Sequence, residues 1–445
     1  MTTAERAIAP DETGGDRPIP DSAPPGRRAQ WGKVIMLALV ASTGAACAGV
    51  MGPLQQSAQT DLGLTDFRIA ALLGTAHGMP ALIAALPMGL AIDHLNRARL
   101  LLVLGVLWIA GTVLTGLAHG VTSLFIARAL VSLGTAGAAG LILSMIADLC
   151  APEMRGRVNI LAGIGVLSGP AIAFAGGGAL FGYFKINGWS LFPGLAPWRL
   201  TMFAFAGLGS LLLFAIALFP EPHRYEKVQR GNAILPALRG LATRWRFLTA
   251  LWVGSTAAGM SEGAAGLWAA PMLTRNYGLR PDQFGAVMGI MILFAGTLGS
   301  ILGGVVVDKG NASGRRGGLL IGAVVATLVI IPTTAYPIMS TPTGFYWMLG
   351  TMMCACTVMQ VTALTTVTII IPNEERGLCM AITGIVGTVM NMLFVPVISL
   401  LGPAIWGDDQ HLRQTLVLIG MITGSIGCAG YIVAMRIAPR SFQHA

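Results

Sequence analysis

The segment AAGMSEGAAG (257–266) places a single carboxylic acid, Glu262, among small and apolar residues. The nearest charged residues along the chain are Arg246 and Arg275, so no basic side chain close in sequence can pair with it. An ionised acid at the centre of a membrane-crossing helix costs about 2.5–3.5 kcal/mol, so a dry site favours the neutral acid and entry of water favours the carboxylate. We therefore interpret Glu262 as a cavity-facing candidate for proton coupling. A protonated acid that is hydrogen-bonded to a neighbouring helix is the alternative.

A second ionisable group, Arg128, lies in the apolar segment ARALVSLGTAGAAG (127–140). Ser132 and Thr135 follow it at i+4 and i+7, so the three side chains form one polar stripe on a helix. A charged side chain that faces lipid costs several kcal/mol. This predicts that the stripe faces the interior of a helical bundle, where it contributes to a substrate cavity. An arginine whose long side chain reaches the outer membrane interface is the alternative.

Three further polar residues lie inside apolar runs: His77, Gln360 and Asn391. Histidine titrates near physiological pH, so His77 is a second candidate for proton coupling, although a neutral histidine bonded to a backbone carbonyl explains it equally well. Gln360 and Asn391 need hydrogen-bond partners in an apolar medium, which either a substrate or a neighbouring helix can supply. We expect water to reach three amides at the outer end of the first apolar run: Gln55, Gln56 and Gln59.

The composition of the chain shows what kind of elements position these residues. Of 445 residues, 54% are hydrophobic and only 11% are charged, and the mean hydropathy is +0.72. A soluble domain carries about 25% charged residues, so the chain is predicted to be an integral protein of the cytoplasmic (inner) membrane. The net charge of +9 comes from basic residues scattered between apolar runs, which argues against a nucleic-acid partner.

Apolar runs long enough to cross a bilayer need about 20 residues, and this criterion predicts an all-α protein with twelve membrane helices in two groups of six. The first group comprises 34–55, 68–92, 99–118, 122–147, 158–184 and 200–219. The second group comprises 247–273, 283–307, 317–337, 344–371, 379–402 and 413–435. The predicted domains are a disordered tail (1–32), an N-terminal bundle (33–219), a cytoplasmic linker (220–246), a C-terminal bundle (247–437) and a second cytoplasmic tail (438–445).

The distribution of basic residues tests this division of the chain. If both termini are cytoplasmic, only six of the 28 Lys and Arg residues lie on the outer side and only Arg128 lies within a span. Basic residues concentrate in cytoplasmic loops of membrane proteins. The pattern therefore predicts that both termini are cytoplasmic.

Two short patterns recur at nearly the same spacing. The acid of GLAIDHLNRAR, Asp93, recurs as Asp308 in GVVVDK, 215 residues later. The arginine of PEMRG, Arg155, recurs as Arg376 in NEERG, 221 residues later. Both offsets are close to half the chain, which indicates two similar six-helix halves.

Two six-helix halves with a GxxxD-plus-basic loop after the second helix resemble the major facilitator superfamily of secondary transporters, over residues 33–437. Gly89, Asp93, Arg97 and Arg99 match that loop signature. The resemblance implies that the Asp93 loop closes a cytoplasmic gate in the outward-facing state, with Asp308 as its weaker copy. Fixing of the membrane topology by basic residues is the alternative, and both can hold at once.

Other stretches narrow the resemblance. Arg128 looks like the arginine of the family's fourth helix, and GVLSGPAIAFAGGG (165–178) is similar to the Gly-Pro motif on the fifth helix of many antiporters. Four segments resemble the spinster-like branch, whose animal members export lysolipids: DLGLTDFRIAALLGT, SMIADLCAPEMRGR, APWRLTMF and ALFPEPHR. That branch commonly has Gly-Glu after the fourth-helix arginine, whereas this chain has Gly134-Thr135.

The chain has neither the HExxH pattern of zinc enzymes nor the GxxxxGK[ST] loop that binds nucleotide phosphates. We predict that it is not an enzyme and uses no cofactor or metal. The sequence predicts a monomeric secondary active transporter, embedded in membrane lipids, that moves a small organic or amphipathic, lysolipid-like substrate by alternating access and with proton coupling. The substrate site is expected between the two halves near the middle of the membrane.

Three other functions stay open at this point. An organic-anion/proton uptake symporter would use Arg128 to bind the anion. A multidrug/proton antiporter would depend on Glu262 for cation efflux. A non-transporting membrane sensor would bind its ligand without moving it.

Overall fold

The computed structural model describes residues 30–149, 154–217, 234–315, 317–406 and 411–438. Within these ranges all regular secondary structure is helical. The α-helices are α1 (Trp31–Gly49), α2 (Met51–Asp61), α3 (Asp66–His94), α4 (Arg97–Gly116), α5 (Val121–Asp148), α6 (Arg155–Asn187), α7 (Pro197–Ala217), α8 (Ile234–Thr243), α9 (Trp245–Tyr277), α10 (Pro281–Ala312), α11 (Ile321–Thr333), α12 (Pro342–Ile370), α13 (Asn373–Trp406) and α14 (Leu412–Ile437).

Each of the twelve predicted spans coincides with a helix or a short series of helices. Eleven described segments are long and apolar enough to cross a membrane, and the chain is an integral, multi-pass membrane protein. The remaining predicted span, 247–273, is the 33-residue helix α9. Its many glycine, alanine and serine residues and its acid make it less apolar than the other spans, so its membrane crossing stays a prediction.

The structure adds two features that the apolar runs did not predict. The first span is divided into α1 and α2 at Val50, and Pro53 lacks the N–H that would bond to the carbonyl one turn earlier. The linker contains the short helix α8, which packs on α13. Residues 1–29 and 439–445 of the predicted tails and residues 220–233 of the predicted linker lie outside the described residues.

The helices pack in two groups. In the N-terminal group α1 packs on α6, α4 on α5 and α7, and α3 on α5. In the C-terminal group α9 packs on α14, and α12 packs on α10 and α11. We call these groups the N-terminal and C-terminal halves; their internal similarity and the domain boundaries given above stay predictions.

A buried arginine, Arg199, joins three helices of the N-terminal half at one end of the bundle. Its guanidinium pairs with Asp61 at the end of α2, with 2.9 Å between Nη2 and Oδ2. It also donates to the carbonyls of Gly116 (2.9 Å) and Ala118 (2.6 Å), where α4 ends. The last carbonyls of a helix lack intrahelical donors, so this arginine satisfies them and keeps its charge paired.

The two halves meet at the same end, which we call the outer end and which holds the loops 62–65, 117–120, 188–196 and 278–280. There α6 packs on α10, α3 on α13, and α2 on α9. The backbones of α6 and α10 approach so closely that a Cβ at Gly289 would lie 2.6 Å from the carbonyl oxygen of Ala171. Only glycine permits this contact. The name of this end follows the orientation that the basic residues predict.

Candidate functional site

A cavity of about 860 Å³ lies between the two halves, with walls from α1, α2, α3, α5 and α6 on one side and α9, α10, α12 and α13 on the other. Most of the lining is apolar. The polar lining residues are Gln55, His77, Arg128, Glu262, Thr357, Thr383, Thr388 and Asn391. Two other grooves, of about 520 and 560 Å³, face outward from one half each and are almost wholly apolar, as surfaces in contact with lipid must be.

Glu262 lies on the wall of this cavity and is half-buried. Its carboxyl group accepts a hydrogen bond from Nε2 of Gln360, which α12 brings next to α9 although the two residues are 98 positions apart in the chain. The acid therefore has one neutral donor, and none of the described ion pairs involves it. A carboxyl group in such surroundings can exchange a proton with water that enters the cavity.

Asn391 of α13 lies against Gly263, the residue that follows the acid on α9. A Cβ at Gly263 would collide with Oδ1 of Asn391, so the glycine provides the space that the amide occupies. The amide Nδ2 donates to the carbonyl of Gly387 at 3.1 Å, which fixes the direction of the side chain. Of the three predicted residues, Glu262 and Asn391 line the C-terminal wall, whereas Gln360 lies outside the lining and reaches the site through its hydrogen bond to Glu262.

Arg128 lies on the N-terminal wall and is buried. Its guanidinium donates to the carbonyls of Cys47 (3.4 Å) and Ala48 (2.5 Å), close to the break between α1 and α2. The other two residues of the predicted stripe lie outside the cavity lining, and their short side chains bond to backbone carbonyls. Ser132 donates to His77 (2.5 Å), and Thr135 donates to Val131 (2.9 Å).

His77 has an exposed imidazole that lines the cavity. Its backbone carbonyl, not its ring, takes part in the hydrogen bond with Ser132. The structure therefore places both candidates for proton coupling, His77 and Glu262, in the same cavity but in opposite halves.

A cluster of charged and amide side chains at the outer end joins the two halves. Arg275 of α9 pairs with both carboxylate oxygens of Asp66 at the start of α3, and each N···O distance is 2.7 Å. Arg275 also donates to Gln56 (2.8 Å) and Gln59 (3.2 Å) of α2. The expectation that water reaches the three glutamines of α2 is wrong for Gln55 and Gln59, which are buried.

Sequence reasoning did not single out Arg275 and Asp66, because their partners are more than 200 positions apart and no local pattern joins them. In the sequence, the only hint of a function for either residue is that it is polar and lies near the end of a predicted span. The same holds for Thr383, which lines the cavity and accepts a hydrogen bond from Nε1 of Trp252 at 2.9 Å.

The residues of the GxxxD loop lie at the opposite end of the bundle. The side chain of Asp93 lies outside the described part of the structure. Arg97 is buried, pairs with Asp148 at the end of α5 (2.7 Å) and donates to Ser144 (3.1 Å). Arg99, Asp308 and Gly89 were predicted to belong to the same gate. The side chains of Arg99 and Asp308 are exposed, and Gly89 has open space beside it.

The Arg97–Asp148 pair gives a test of this loop. Replacing Arg97 by Ala leaves a largely buried carboxylate without its partner, because the two side chains are only 4% and 18% exposed. We expect the free energy of unfolding to fall by about 3 kcal/mol. Arg99→Ala removes an exposed charge two residues away and should change it by less than about 0.5 kcal/mol. Thermal unfolding of both purified variants measures the difference, and equal losses would contradict the ion-pair assignment.

One sequence motif resembles the nucleophile motif of hydrolases but lacks the structure that this motif requires. The segment GMSEG (259–263) matches the G-x-S-x-G pattern of hydrolase nucleophiles, which requires a sharp turn between a strand and a helix. Here it lies inside α9, and the hydroxyl of Ser261 shares a hydrogen bond with Thr423 at 3.2 Å. The segment therefore lacks the geometry of a nucleophile.

The family model of the Major Facilitator Superfamily matches residues 34–395. The chain belongs to this superfamily. It is therefore a transporter and not an enzyme. No curated protein matches the sequence of this transporter.

Solved structures show the same fold. A bacterial homologue of the human lysosomal transporter Spinster, in an inward-facing and unoccupied conformation, shares 21% identity and a TM-score of 0.75, covering 91% of this chain and 97% of that one. The occupied form of such a homologue gives 19% identity and a TM-score of 0.77, covering 94% and 99%. The inward-open xylose transporter XylE of E. coli gives 14% and 0.68, covering 93% and 98%.

Proposed function

We propose that this transporter moves a small amphipathic organic molecule, with lysolipid-like compounds as the leading class, by alternating access and in exchange with protons. The observation that carries the proposal is the cavity between the halves, with apolar walls and a polar group on each side. Its volume of about 860 Å³ lies in the range of sites for small organic ligands. Apolar walls suit a hydrocarbon portion, and the polar residues suit a head group.

Alternating access is supported by the asymmetry of the contacts between the halves. At the outer end the halves are joined by the Arg275–Asp66 pair and by the close approach of α6 and α10. Gly384 and Gly387 of α13 line the cavity, and a Cβ added at either position would have no other atom within 4 Å. This arrangement supports a state that is closed at the outer end, and three solved structures of the same fold are described as inward-facing or inward-open.

Proton coupling is proposed for Glu262, with His77 as a second carrier. The acid lines the cavity and has a neutral amide as its partner, so binding or release of a proton changes the charge that a substrate meets. One solved structure of the same fold is a D-xylose-proton symporter, with 15% identity and a TM-score of 0.66, covering 93% of this chain and 99% of that one.

The organic-anion alternative receives less support from the site. Arg128, its proposed anion-binding group, already donates to two backbone carbonyls, and Glu262 lines the same cavity. The proposal has five further parts. They are the gating role of the Asp93 loop, the inner-membrane location, the cytoplasmic termini, the monomeric state and the spinster-like branch. The branch is supported by its likeness in fold to the two Spinster homologues.

A blocked cavity tests the proposal. In Gly387→Leu the new side chain projects into the cavity, whereas in Gly207→Leu an equally unobstructed side chain lies on the exposed face of α7. We expect the first variant to lose at least about tenfold in transport rate and the second to keep the wild-type rate, because only the first change occupies the substrate's volume.

The measurement is counterflow in proteoliposomes with fluorescent single-chain amphiphiles that carry neutral, anionic or cationic head groups. Wild-type counterflow of at least one of them is expected. Binding without counterflow for every probe would instead support the membrane sensor, and unchanged counterflow in Gly387→Leu would place the transport path elsewhere.

A further inference from the structure

The cavity wall contains two amide atoms that are buried and have no hydrogen-bond partner among the described residues. One is Nε2 of Gln55 on α2, whose residue is only 1% exposed. The other is Oδ1 of Asn391 on α13. Both residues line the cavity, and they lie in opposite halves.

Burying a polar atom without a partner loses its hydrogen bonds to water and gains nothing in return. Such atoms are therefore rare in folded proteins, and each one needs a reason. Two other polar side chains of the site are engaged elsewhere. Gln360 donates to Glu262, and Arg128 donates to backbone carbonyls of α1.

The setting of Asn391 shows that its free oxygen is held in place. Its Nδ2 is tied to the carbonyl of Gly387, one turn away on the same helix, at 3.1 Å. The absence of a side chain at Gly263 leaves room for Oδ1 beside the cavity. The amide therefore presents an acceptor in a fixed direction, and no side chain or backbone group in the described part of the chain donates to it.

We infer that Gln55 and Asn391 contact the substrate from opposite halves. Gln55 donates a hydrogen bond to an acceptor of the substrate, and Asn391 accepts one from a donor. This rests on the proposed function and narrows its substrate to amphiphiles whose head group carries an uncharged donor as well as an acceptor, that is, a hydroxyl or amide group. A head group with acceptors alone satisfies only Gln55.

Two matched probes test the donor requirement. One is 1-monolauroylglycerol, whose two hydroxyls donate and accept, and the other is its di-O-methyl ether, which only accepts. Binding is measured as quenching of tryptophan fluorescence of the full chain in nanodiscs. We expect the wild type to prefer the glycerol compound by about tenfold, which corresponds to one hydrogen bond of about 1.4 kcal/mol.

The variants separate the two contacts. Asn391→Leu is expected to bind both probes with equal affinity, because it lacks the acceptor that tells them apart. Gln55→Leu is expected to weaken both probes by about tenfold and to keep the preference. Each variant without ligand is expected to melt about 1–3 °C higher than the wild type, because an unpartnered buried amide has been removed. Gln414→Leu removes a comparable unpartnered amide oxygen of α14 outside the cavity lining, so it should bind both probes like the wild type.

The outcomes distinguish this inference from the proposed function. If Asn391→Leu keeps the preference, or if both variants melt lower with unchanged binding, the two amides are structural and the inference fails even if transport stands. If the variants behave as expected but no probe shows counterflow, the binding site stands and the transport proposal fails.

Discussion

Glu262→Gln is expected to abolish substrate gradients that are driven by a pH difference, while exchange of substrate down its own gradient continues. One proton exchanged per cycle across one pH unit supports about a tenfold substrate gradient, since one pH unit is worth about 1.4 kcal/mol. Glutamine keeps the size of the side chain and can still bond to Gln360, but it cannot gain or lose a proton. The gradient should therefore fall from about tenfold to none.

Proteoliposomes with an imposed pH difference measure this effect, using an amphiphile that shows wild-type counterflow. Glu374→Gln is the matched control, because it makes the same change in an exposed acid at the start of α13, outside the cavity lining. A pH-driven gradient that survives in Glu262→Gln would show that the acid shapes the cavity without carrying the proton. His77→Gln would then be the variant expected to lose it.

Arg275→Gln is expected to shift the transporter towards a state that is open at the outer end. The pair with Asp66 is bidentate and two amides support it, but its side chains are about 30% exposed, so water screens it. We expect the loss to be about 1–2 kcal/mol, which raises the population of outward-open molecules about five- to thirtyfold relative to the closed state. The shift follows because these bonds exist only when the halves meet at the outer end.

Labelling of Leu73→Cys, a cavity position on α3, by a membrane-impermeant maleimide added outside measures this population. Asp66→Asn should raise the labelling rate to a similar degree, and the double variant should add little, because both changes break the same pair. Arg280→Gln is the control, since Arg280 is at the same end but pairs with Asp282 two residues away within one half. Equal labelling rates in Arg275→Gln and Arg280→Gln would show that the cluster does not close the outer end.

The helices were predictable from the sequence because they depend on local composition. A membrane helix satisfies its own backbone hydrogen bonds, so a run of about 20 apolar residues is enough to identify it. Because this criterion uses only local composition, it missed two features of the helices. The break at Val50 depends on one proline within an apolar run, and α8 is a ten-residue helix inside a segment that is polar overall.

The candidate site was only partly predictable. Local spacing grouped Arg128 with Ser132 and Thr135, whereas the structure places Arg128 on the cavity wall and leaves the two hydroxyls bonded to backbone carbonyls. It also brings Gln55 to the cavity, although the sequence favoured a position in water at the end of the first span.

Local composition was enough to predict that this chain is a helical membrane protein. It also singled out Glu262, an acid that needs a polar partner or water within an apolar span. The hydrogen-bond partners of that acid and of the other polar residues depend on how the helices pack in three dimensions. Gln360 meets Glu262, and Asp66 meets Arg275, across 98 and 209 positions of chain. The physical reason is that composition acts within one helix, whereas a hydrogen bond needs two atoms within about 3 Å, and only the packing of distant helices brings them there.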